Sequence, residues 1–263
     1  MSVDVAGATV LVTGASSGIG AALAPMLAER GATVGLVARR AGRLSEVLER
    51  CRRRAPASRM WVADLDDTAV AEQVVLEAWD AFAGIDVLVN NAAVPKRRRA
   101  QDLTMVEIEH VLRVNLLSPV RMTLALLPRM VERDHGCIVN VSSLGGRLGI
   151  AHEAAYCASK FALCGWSESL ALDLWDTGVD VRLIIPGPVD TEIWDQPDND
   201  PPFYDGELES PETVATGIIA AVEGAAFEHY LPDLKDIAAF KTTDIDVFLA
   251  GAAAMVRPAE EDS

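Results

Sequence analysis

Short apolar runs alternate with longer stretches of helical periodicity through the first 90 residues of the chain. The apolar runs are rich in β-branched residues and are predicted to form strands: Thr9–Thr13, Thr33–Ala38, Met60–Ala63 and Val87–Asn90. Between them, apolar residues three or four positions apart predict three helices: Ala21–Arg30, Gly42–Arg53 and Thr68–Phe82. Such regular alternation is typical of βαβ units, whose strands form one parallel sheet.

The alternation continues beyond residue 100 with longer helices. Three helices are predicted, the last with Ser210 as its N-cap and a proline at its first position: Val106–Met130, Ala154–Asp176, and Pro211 to about Glu223. Three further strands are predicted: Cys137–Val141, Val179–Ile185 and Glu228–Pro232. The proline-rich, acidic stretch 187–210 interrupts the pattern and is predicted to be a loop.

These elements predict an α/β fold, a single doubly wound Rossmann domain with a parallel sheet of about seven strands and helices on both faces. The strands are continuously apolar, as expected when helices cover both sides of a sheet. We expect one domain over residues 1–263, with a cofactor half at about 7–140, a catalytic and substrate half at about 137–232, and a tail at about 233–263. A hydrophobic content of 50% agrees with one globular domain and excludes disorder of the whole chain.

The cysteines indicate a reducing compartment, and the short apolar runs predict no membrane span. Four cysteines show neither a CxxC pair nor the spacing of a zinc site: Cys51, Cys137, Cys157 and Cys164. We expect buried thiols and no bound metal. The N-terminus lacks a basic stretch followed by an apolar core, and no run approaches the roughly 18 apolar residues of a membrane span. The predicted location is therefore the cytoplasm.

The chain is strongly acidic, with a net charge of -16. Residues 186–263 hold 18 Asp and Glu but only three cations, Lys235, Lys241 and Arg257. An acidic surface repels nucleic acid and anionic lipid, so neither is an expected partner. Any phosphate-bearing cofactor should instead meet a local cationic side chain.

The first strand is followed by a glycine-rich turn that opens a helix, with the sequence TGASSGIG at residues 13–20. Glycines let a backbone approach phosphates closely, and the helix N-terminus offers free N–H groups and a partial positive charge. This position favours a diphosphate site. The same residues also fit the GxSxG nucleophile elbow of serine hydrolases, with Ser16 as nucleophile, although only one strand precedes it.

Two arginines follow the second strand, where sites that select NAD usually carry an acidic residue for the ribose hydroxyls. A guanidinium pairs with a 2′-phosphate through charge-assisted hydrogen bonds. Arg39, and with less weight Arg40, therefore favour NADP(H) over NAD(H). The alternative interpretation is two solvated arginines at a strand end.

A tyrosine and a lysine stand four residues apart on one face of the predicted helix 154–176, at Tyr156 and Lys160. A nearby ammonium favours a phenolate, which would make the tyrosine a general acid or base near neutral pH. Ser142 and Ser143 follow the strand 137–141 directly, and strand ends of a parallel sheet face the ligand crevice. The serine, tyrosine and lysine side chains are therefore expected to lie close together.

Together these motifs resemble those of the short-chain dehydrogenase/reductases, in order and spacing, over nearly all of residues 7–231. The motifs that carry the resemblance are TGASSGIG at 13–20, Asn90–Ala93, Asn115, Ser143, Tyr156, Lys160 and Pro186-Gly187. The resemblance implies an NADP(H)-dependent oxidoreductase that interconverts a carbonyl and a secondary alcohol. It implies that Ser143 binds the substrate oxygen, that Tyr156 exchanges its proton, that Lys160 holds the ribose and lowers the pKa of Tyr156, and that Asn115 supports a proton-relay water chain.

The resemblance also implies the cofactor contacts. The implied residues lie in the glycine turn and at the ends of later strands: Gly14, Ser16, Ser17, Gly18, Ile19, Gly20, Arg39, Arg40, Asp64, Leu65, Asn91, Ala92, Ala93, Tyr156, Lys160, Pro186, Gly187, Val189 and Thr191. Asn90 would help form the wall beside the adenosine ribose. Ser142 is the less favoured catalyst, because the family's serine usually lies 13 residues before its tyrosine. A dinucleotide-sensing protein without catalysis is the main alternative on the same fold.

Two departures from the family pattern affect the expected assembly. Ala93 stands where glycine is common, and an acidic and apolar tail replaces the usual glycine-rich end. The tail weakens an inference to a tetramer. The long helices 106–130 and 154–176 resemble the paired helices of family dimers, so a homodimer or homotetramer is expected.

The sequence says less about the substrate, for which a small carbonyl or alcohol is expected. Trp194, Phe203 and Tyr204 lie in a segment that resembles the family's substrate lid, where they line an apolar pocket or merely pack onto the sheet. His152 and Glu153 are interpreted as a solvated loop more readily than as substrate contacts. The basic run 96–99 is likewise interpreted as solvated, with attraction of an anionic substrate tail as the alternative.

Overall fold

The computed structural model describes residues 3–256, and the side chains of residues 3–254. Within that part of the chain one parallel sheet has the strand order β3-β2-β1-β4-β5-β6-β7. Its strands are β1 (Thr9–Thr13), β2 (Thr33–Ala38), β3 (Arg59–Val62), β4 (Val87–Asn90), β5 (Gly136–Val141), β6 (Val179–Pro186) and β7 (Glu228–Leu231). The strand order reverses between β1 and β4, which is where an open parallel sheet has its ligand crevice.

Nine α-helices are described within residues 3–256. They are α1 (Gly18–Glu29), α2 (Ala41–Arg52), α3 (Thr68–Phe82), α4 (Met105–Leu112), α5 (Ser118–Glu132), α6 (Ala154–Asp173), α7 (Pro211–Glu223), α8 (Lys235–Thr243) and α9 (Ile245–Val256). The sheet and its helices confirm the predicted doubly wound Rossmann fold. The predicted tail contains α8 and α9, and its residues from 257 onward lie outside the described part.

Alternate residues of each strand enter two separate cores, one on each face of the sheet. Val10 and Val12 pack with α1, α2 and α7, whereas Leu11 packs on the opposite face with α3, α5 and α6. All three side chains are essentially inaccessible to solvent. The continuous apolar character of the strands follows from this double burial.

The predicted helix 106–130 is interrupted in the structure. α4 and α5 are separated by a π-helical turn over Arg113–Leu117, with Asn115 buried at its centre. The Asn115 side chain turns away from the helix and holds the backbone of Val94, accepting its N–H at 2.8 Å and donating to its carbonyl at 3.0 Å. π-turns inside helices occur frequently at functional sites.

By length and composition alone, Met105–Glu132 would suffice to cross a membrane. In the structure this segment is α4, the π-turn and α5. Met122, Leu126 and Met130 are inaccessible and belong to the core beside α3. This is the packing of a core helix.

Candidate active site

The glycine turn after β1 is folded so tightly that side chains would not fit. Gly14 and Gly18 have positive φ angles of 67° and 51°. A Cβ on Gly14 would lie 2.8 Å from the Ala92 Cα, and one on Gly20 would lie 2.6 Å from the Gly14 carbonyl oxygen. Ser17 is the N-cap of α1 and makes no side-chain capping bond. The turn therefore presents a helix N-terminus behind a narrow backbone cradle, which fits a diphosphate.

The turn after β4 is fastened to the glycine turn. The Thr13 hydroxyl accepts the N–H groups of Asn91 and Ala92, both at 3.0 Å, and the Asn91 amide donates to the Thr13 carbonyl at 2.9 Å. Asn90 points elsewhere, because its amide donates at 2.8 Å to Asn140 in a buried polar pair. The wall beside the crevice is thus made by Asn91 and Ala92, and the Asn90 side chain has no part in it.

The segment after β6 closes the other side of the crevice. The Gly187 N–H donates to the Leu231 carbonyl at 3.0 Å, and a Cβ on Gly18 would lie 2.8 Å from the Thr191 side chain. Val189 is buried, and its carbonyl accepts the Trp194 indole N–H at 2.6 Å. Thr191, one of the cofactor contacts that the resemblance implies, therefore lies directly against the glycine turn.

Arg39 and Arg40 have different environments at the end of β2. Arg39 remains half exposed, with its nearest carboxylate oxygen, on Asp64, 3.9 Å away. Arg40 lies beside the glycine turn, its Nε 3.4 Å from the Ser16 hydroxyl, and it is paired with Glu192 at 2.6 Å. Arg43 also bonds to Glu192. Both arginines are exposed, as the interpretation of two solvated arginines predicts, but Arg40 is also ion-paired with the long loop after β6.

No sequence motif indicates a role for Glu192, which lies 152 residues from Arg40. Arg40 and Arg43 lower the pKa of the Glu192 carboxyl through their hydrogen bonds. This carboxylate spans from the Thr191 loop to α2. Leu65, also predicted as a cofactor contact, is buried in the core, so only Asp64 of that pair presents its side chain to solvent.

Ser143 and Tyr156 meet at the carboxyl end of β5. The Ser143 side chain is close enough to the Tyr156 hydroxyl to lower the pKa of that hydroxyl, and the Ser143 oxygen accepts the Gly145 N–H at 3.1 Å. Ser142 points the other way, donating to the Lys160 carbonyl at 3.1 Å and lying 3.2 Å from the Cys164 sulfur. Of the two serines, Ser143 is the one that acts on the tyrosine hydroxyl.

Lys160 is buried beneath the tyrosine. Its Nζ donates to the Val141 carbonyl at 2.9 Å and lies 5.8 Å from the centre of the Tyr156 ring. Burial lowers the pKa of Lys160 to about 8. The pKa of Tyr156 is raised, chiefly by burial, although the Ser143 hydrogen bond opposes the increase. The expected lowering of the Tyr156 pKa by Lys160 is therefore not what this structure shows, because burial has the larger effect.

Asn115 connects the π-turn to the catalytic helix. Its amide donates to the Ser159 hydroxyl at 3.1 Å, and Ser159 donates to the Tyr156 carbonyl at 2.7 Å. Together with its two bonds to Val94, this places Asn115 between the loop after β4 and α6. Mechanically, the side chain fixes the start of α6 relative to the crevice.

Three of the four residues of the basic run 96–99 are packed against the protein, and only Arg99 is exposed. Arg97 is 4% exposed, and its nitrogens donate to three backbone carbonyls of the loop after β6, those of Ile193, Trp194 and Asp200. Lys96 and Arg98 both bond to the Asp198 carbonyl and to Glu107. The interpretation as solvated charge is wrong, because these cations fasten the predicted lid to the body of the protein.

The aromatic residues of the loop pack onto the protein. The Trp194 ring lies 5.6 Å from the Arg97 guanidinium, and Phe203 meets His152 edge to face at 4.6 Å. Tyr204 is exposed and donates to the Glu207 carbonyl. His152 is partly buried, and its Nδ1 lies 3.4 Å from an Asp200 carboxylate oxygen. His152 is therefore a packed residue and not part of a solvated loop.

Neither a serine nucleophile at Ser16 nor a metal site has support in the described residues. The Ser16 hydroxyl has the Arg40 guanidinium as its side-chain partner within residues 3–256, and an arginine is no general base for a serine nucleophile. All four cysteines are free and buried, as predicted. No group of three or more His, Cys, Asp or Glu in the described part is arranged to hold a metal ion.

A dinucleotide cradle beside a serine, a tyrosine and a lysine defines a Rossmann oxidoreductase site. The short chain dehydrogenase model matches residues 8–201, and the chain belongs to this family. It is therefore an oxidoreductase that acts on alcohols or ketones by hydride transfer with a nicotinamide dinucleotide.

Known relatives and structures agree with the family assignment. A ketoacyl reductase, HetN, from Nostoc sp. is 32% identical over 229 residues, covering 84% of this chain and 77% of its own length. A D-threitol dehydrogenase from Mycolicibacterium smegmatis is 33% identical over 227 residues, covering 84% and 87%. The structure of a short-chain dehydrogenase from Sphingobium yanoikuyae in complex with NADPH matches with a TM-score of 0.81 at 28% identity, covering 97% and 98%.

Proposed function

We propose that this protein is an NADP(H)-dependent oxidoreductase that interconverts a small carbonyl compound and a secondary alcohol, with Tyr156 as general acid and base. The observation that carries the proposal is the grouping of Ser143, Tyr156 and Lys160: Ser143 acts on the Tyr156 hydroxyl, and the Nζ of the buried Lys160 lies 5.8 Å from the centre of the Tyr156 ring. These groups lie at the carboxyl end of the central strands, beside the glycine cradle. The names of the two relatives, a ketoacyl reductase and a D-threitol dehydrogenase, fit a carbonyl or alcohol substrate.

Each residue of the site would have its own role in the hydride-transfer reaction. In the reduction, bound NADPH supplies a hydride to the carbonyl carbon. Ser143 donates a hydrogen bond to the carbonyl oxygen, and Tyr156 gives that oxygen its proton. The Lys160 ammonium stabilises the phenolate that remains, and Asn115 would support the water chain that returns a proton to it. In alcohol oxidation the same groups act in reverse.

The residues around the glycine turn fit an NADP(H) diphosphate and 2′-phosphate. A Cβ on Gly14 or Gly20 would fill the narrow space in the cradle, and the Ser17 side chain makes no capping hydrogen bond to the N-terminus of α1. Arg39 and Arg40 follow β2, the Arg40 Nε lies 3.4 Å from the Ser16 hydroxyl of the glycine turn, and guanidinium groups pair well with phosphate. In a chain of net charge -16, these cations offset the local field against an anionic ligand.

Arg39→Ala is expected to weaken NADPH binding about tenfold or more, because one charge-assisted hydrogen bond to the 2′-phosphate is lost. The Kd for NADH should change little. Paired calorimetric titrations of the two cofactors measure both values, with Arg53→Ala, which removes an exposed arginine beyond α2, as the control. Equal weakening of NADPH and NADH would remove Arg39 from the 2′-phosphate site.

Glu192→Gln is expected to act in the opposite direction. Glu192 competes with a 2′-phosphate for the Arg40 guanidinium, and its removal frees that cation. The pair is about two-fifths exposed, so we expect only about a two- to fivefold tighter Kd for NADPH. The gain should shrink at high salt, which screens both the pair and the phosphate contact. Unchanged or weaker NADPH binding at low salt would show that Glu192 is not a competitor.

We infer that the chain assembles as a homodimer or homotetramer through the surface of α4, α5 and α6. Large apolar side chains are exposed there: Met105, Val106, Leu117, Leu124, Leu172 and Trp175. An apolar surface of this extent on helices is typical of subunit contacts.

Four free cysteines also support the proposed location in the reducing cytoplasm.

A further inference from the structure

The loop after β6 is closed at its base and has no regular structure beyond it. The base is a bridge between Val189 and Glu209, where the Asp190 N–H donates to the Glu209 carbonyl at 2.8 Å. Residues 190–208 form no helix or strand. The position of this loop therefore depends on what its backbone groups contact.

Arg97 meets the far part of the loop with all of its polar atoms. Its Nε donates to the Asp200 carbonyl at 3.0 Å, its Nη1 to the Ile193 carbonyl at 3.3 Å, and its Nη2 to the Trp194 carbonyl. Its backbone N–H donates to the Asn199 side-chain oxygen at 2.6 Å, and its backbone carbonyl accepts the Asp200 N–H at 2.8 Å. The anchoring of an anionic substrate tail by the basic run, the alternative left by the sequence, therefore lacks a free cation at Arg97.

The contact between Arg97 and the loop lies over the carboxyl end of β5. In the sheet, β5 lies between β4 and β6. The loop leaves β6, whereas Arg97 lies in the segment that follows β4. The segment that joins β5 to α6 meets both: the Arg98 N–H donates to the His152 carbonyl at 2.7 Å, and the Phe203 ring centre lies 4.6 Å from that of His152. The three segments therefore meet at the strand end that Ser143 follows.

The segment that carries Arg97 is itself fixed to the catalytic helix. Asn115 accepts the Val94 N–H and donates to the Val94 carbonyl, a few residues before Arg97. The Asn115 amide also donates to the Ser159 hydroxyl, which donates to the Tyr156 carbonyl. Arg97 thus fastens the loop to a support that holds the reacting groups as well.

On the basis of the proposed function, we propose that Arg97 is a positioning residue that holds the loop after β6 closed over a substrate bound at Ser143 and Tyr156. Three carbonyl groups converge on one guanidinium, so one side chain sets the position of the far part of the loop. Without it, the loop opens about its base at Val189 and Glu209. The apparent substrate affinity then falls in proportion to the fraction of molecules whose loop is closed.

Steady-state kinetics with NADPH test this role. Arg97→Met keeps a long side chain and loses every donor of the guanidinium. With 2-butanone or 1-hydroxy-2-butanone as ketone, we expect its KM to rise about tenfold or more, as for a loop closed in about a tenth of the molecules. Because saturating substrate draws the loop closed, kcat should change less than about threefold.

Two matched variants accompany Arg97→Met. Arg97→Lys keeps the charge but lacks the planar fork that reaches several carbonyls, so it should raise the KM only about threefold. Arg99→Met changes the exposed neighbouring arginine and should leave KM and kcat unchanged. If Arg97→Met does not fold, Arg97→Lys decides the question by the same measurements.

Hydrogen exchange followed by mass spectrometry locates the change without turnover. In the NADPH complex of Arg97→Met, amides of residues 190–208 should exchange about tenfold faster than in the wild type, while those of β1 and β5 exchange as before. Faster exchange in β1 and β5 as well, or a lower kcat at unchanged KM, would mean that Arg97 only stabilises the fold and would overturn the proposal.

Equilibrium binding separates this proposal from the proposed reaction. Calorimetric titration of 2-butanol into the NADPH complex should give a Kd about tenfold weaker in Arg97→Met than in the wild type. That result without reduction of any ketone would support the role of Arg97 and overturn the proposed reaction. Equal alcohol affinity and equal loop exchange in the two proteins would overturn the role of Arg97 instead.

Discussion

Tyr156→Phe is expected to lower kcat about a thousandfold, because the substrate oxygen loses the only positioned group that exchanges its proton. The NADPH Kd should stay within a few fold, since the aromatic ring and the buried Lys160 remain. Steady-state kinetics and calorimetry on the same preparation measure the two effects. Retention of a tenth of the wild-type kcat would mean that another group carries the proton.

A matched control for this variant is Tyr204→Phe. Tyr204 is exposed, and its hydroxyl donates to the Glu207 carbonyl in the loop after β6. We expect unchanged kcat and unchanged cofactor affinity. The pair separates loss of a reacting hydroxyl from the general effect of removing a tyrosine hydroxyl.

Lys160→Met should make the protein more stable and nearly inactive. Lys160 is 2% exposed, and burial lowers its pKa from 10.5 to about 8. That shift corresponds to a penalty of about 3 kcal/mol on the charged form in the folded protein. Losing the hydrogen bond to the Val141 carbonyl offsets about 1–2 kcal/mol of the gain. We expect the free energy of unfolding to rise by about 1–2 kcal/mol at pH 7, and kcat to fall about a hundredfold.

The stability gain should depend on pH in a definite direction. Because the folded-state pKa of Lys160 lies below the unfolded value, the unfolded chain binds more protons between about pH 8 and 10.5. The wild type therefore gains stability as pH rises through this window, while the variant lacks this contribution. Urea unfolding at pH 7 and pH 10 measures the difference. A variant less stable than the wild type at pH 7 would contradict the cost assigned to the buried ammonium.

The sequence predicted the frame of the fold because local periodicity and sheet burial coincide there. β1, β2, α3 and β4 have the predicted bounds. The apolar spacing continues through the π-turn at Arg113–Leu117 and so does not predict it, and the bonds that its Asn115 makes are to a residue 21 positions away. The sequence predicts only a tail where α8 and α9 lie, because no strand signal or helix cap marks where either helix begins.

The candidate site shows the same division between local and long-range effects. The sequence predicts that Ser143, Tyr156 and Lys160 lie close together, because a strand end and one helix face bring them together. The direction of the Tyr156 pKa depends on how deeply the ring is buried, which no local pattern gives. The fastening of the loop by Arg97 depends on carbonyls about a hundred residues away. Charged side chains next to a site were interpreted as solvated only because their partners are distant in sequence.

Transfer of deuterium tests the central claim most directly. The protein is incubated with NADPH deuterated at C4 of the nicotinamide, on each face in turn, together with 1-hydroxy-2-butanone and 2-butanone, and the alcohol is analysed by mass spectrometry. We predict deuterium on the carbinol carbon from one face of NADPH, little transfer from NADH, and loss of transfer in Tyr156→Phe. Tight NADPH binding without any transfer to a ketone would contradict the account and indicate a dinucleotide-sensing protein on an oxidoreductase fold.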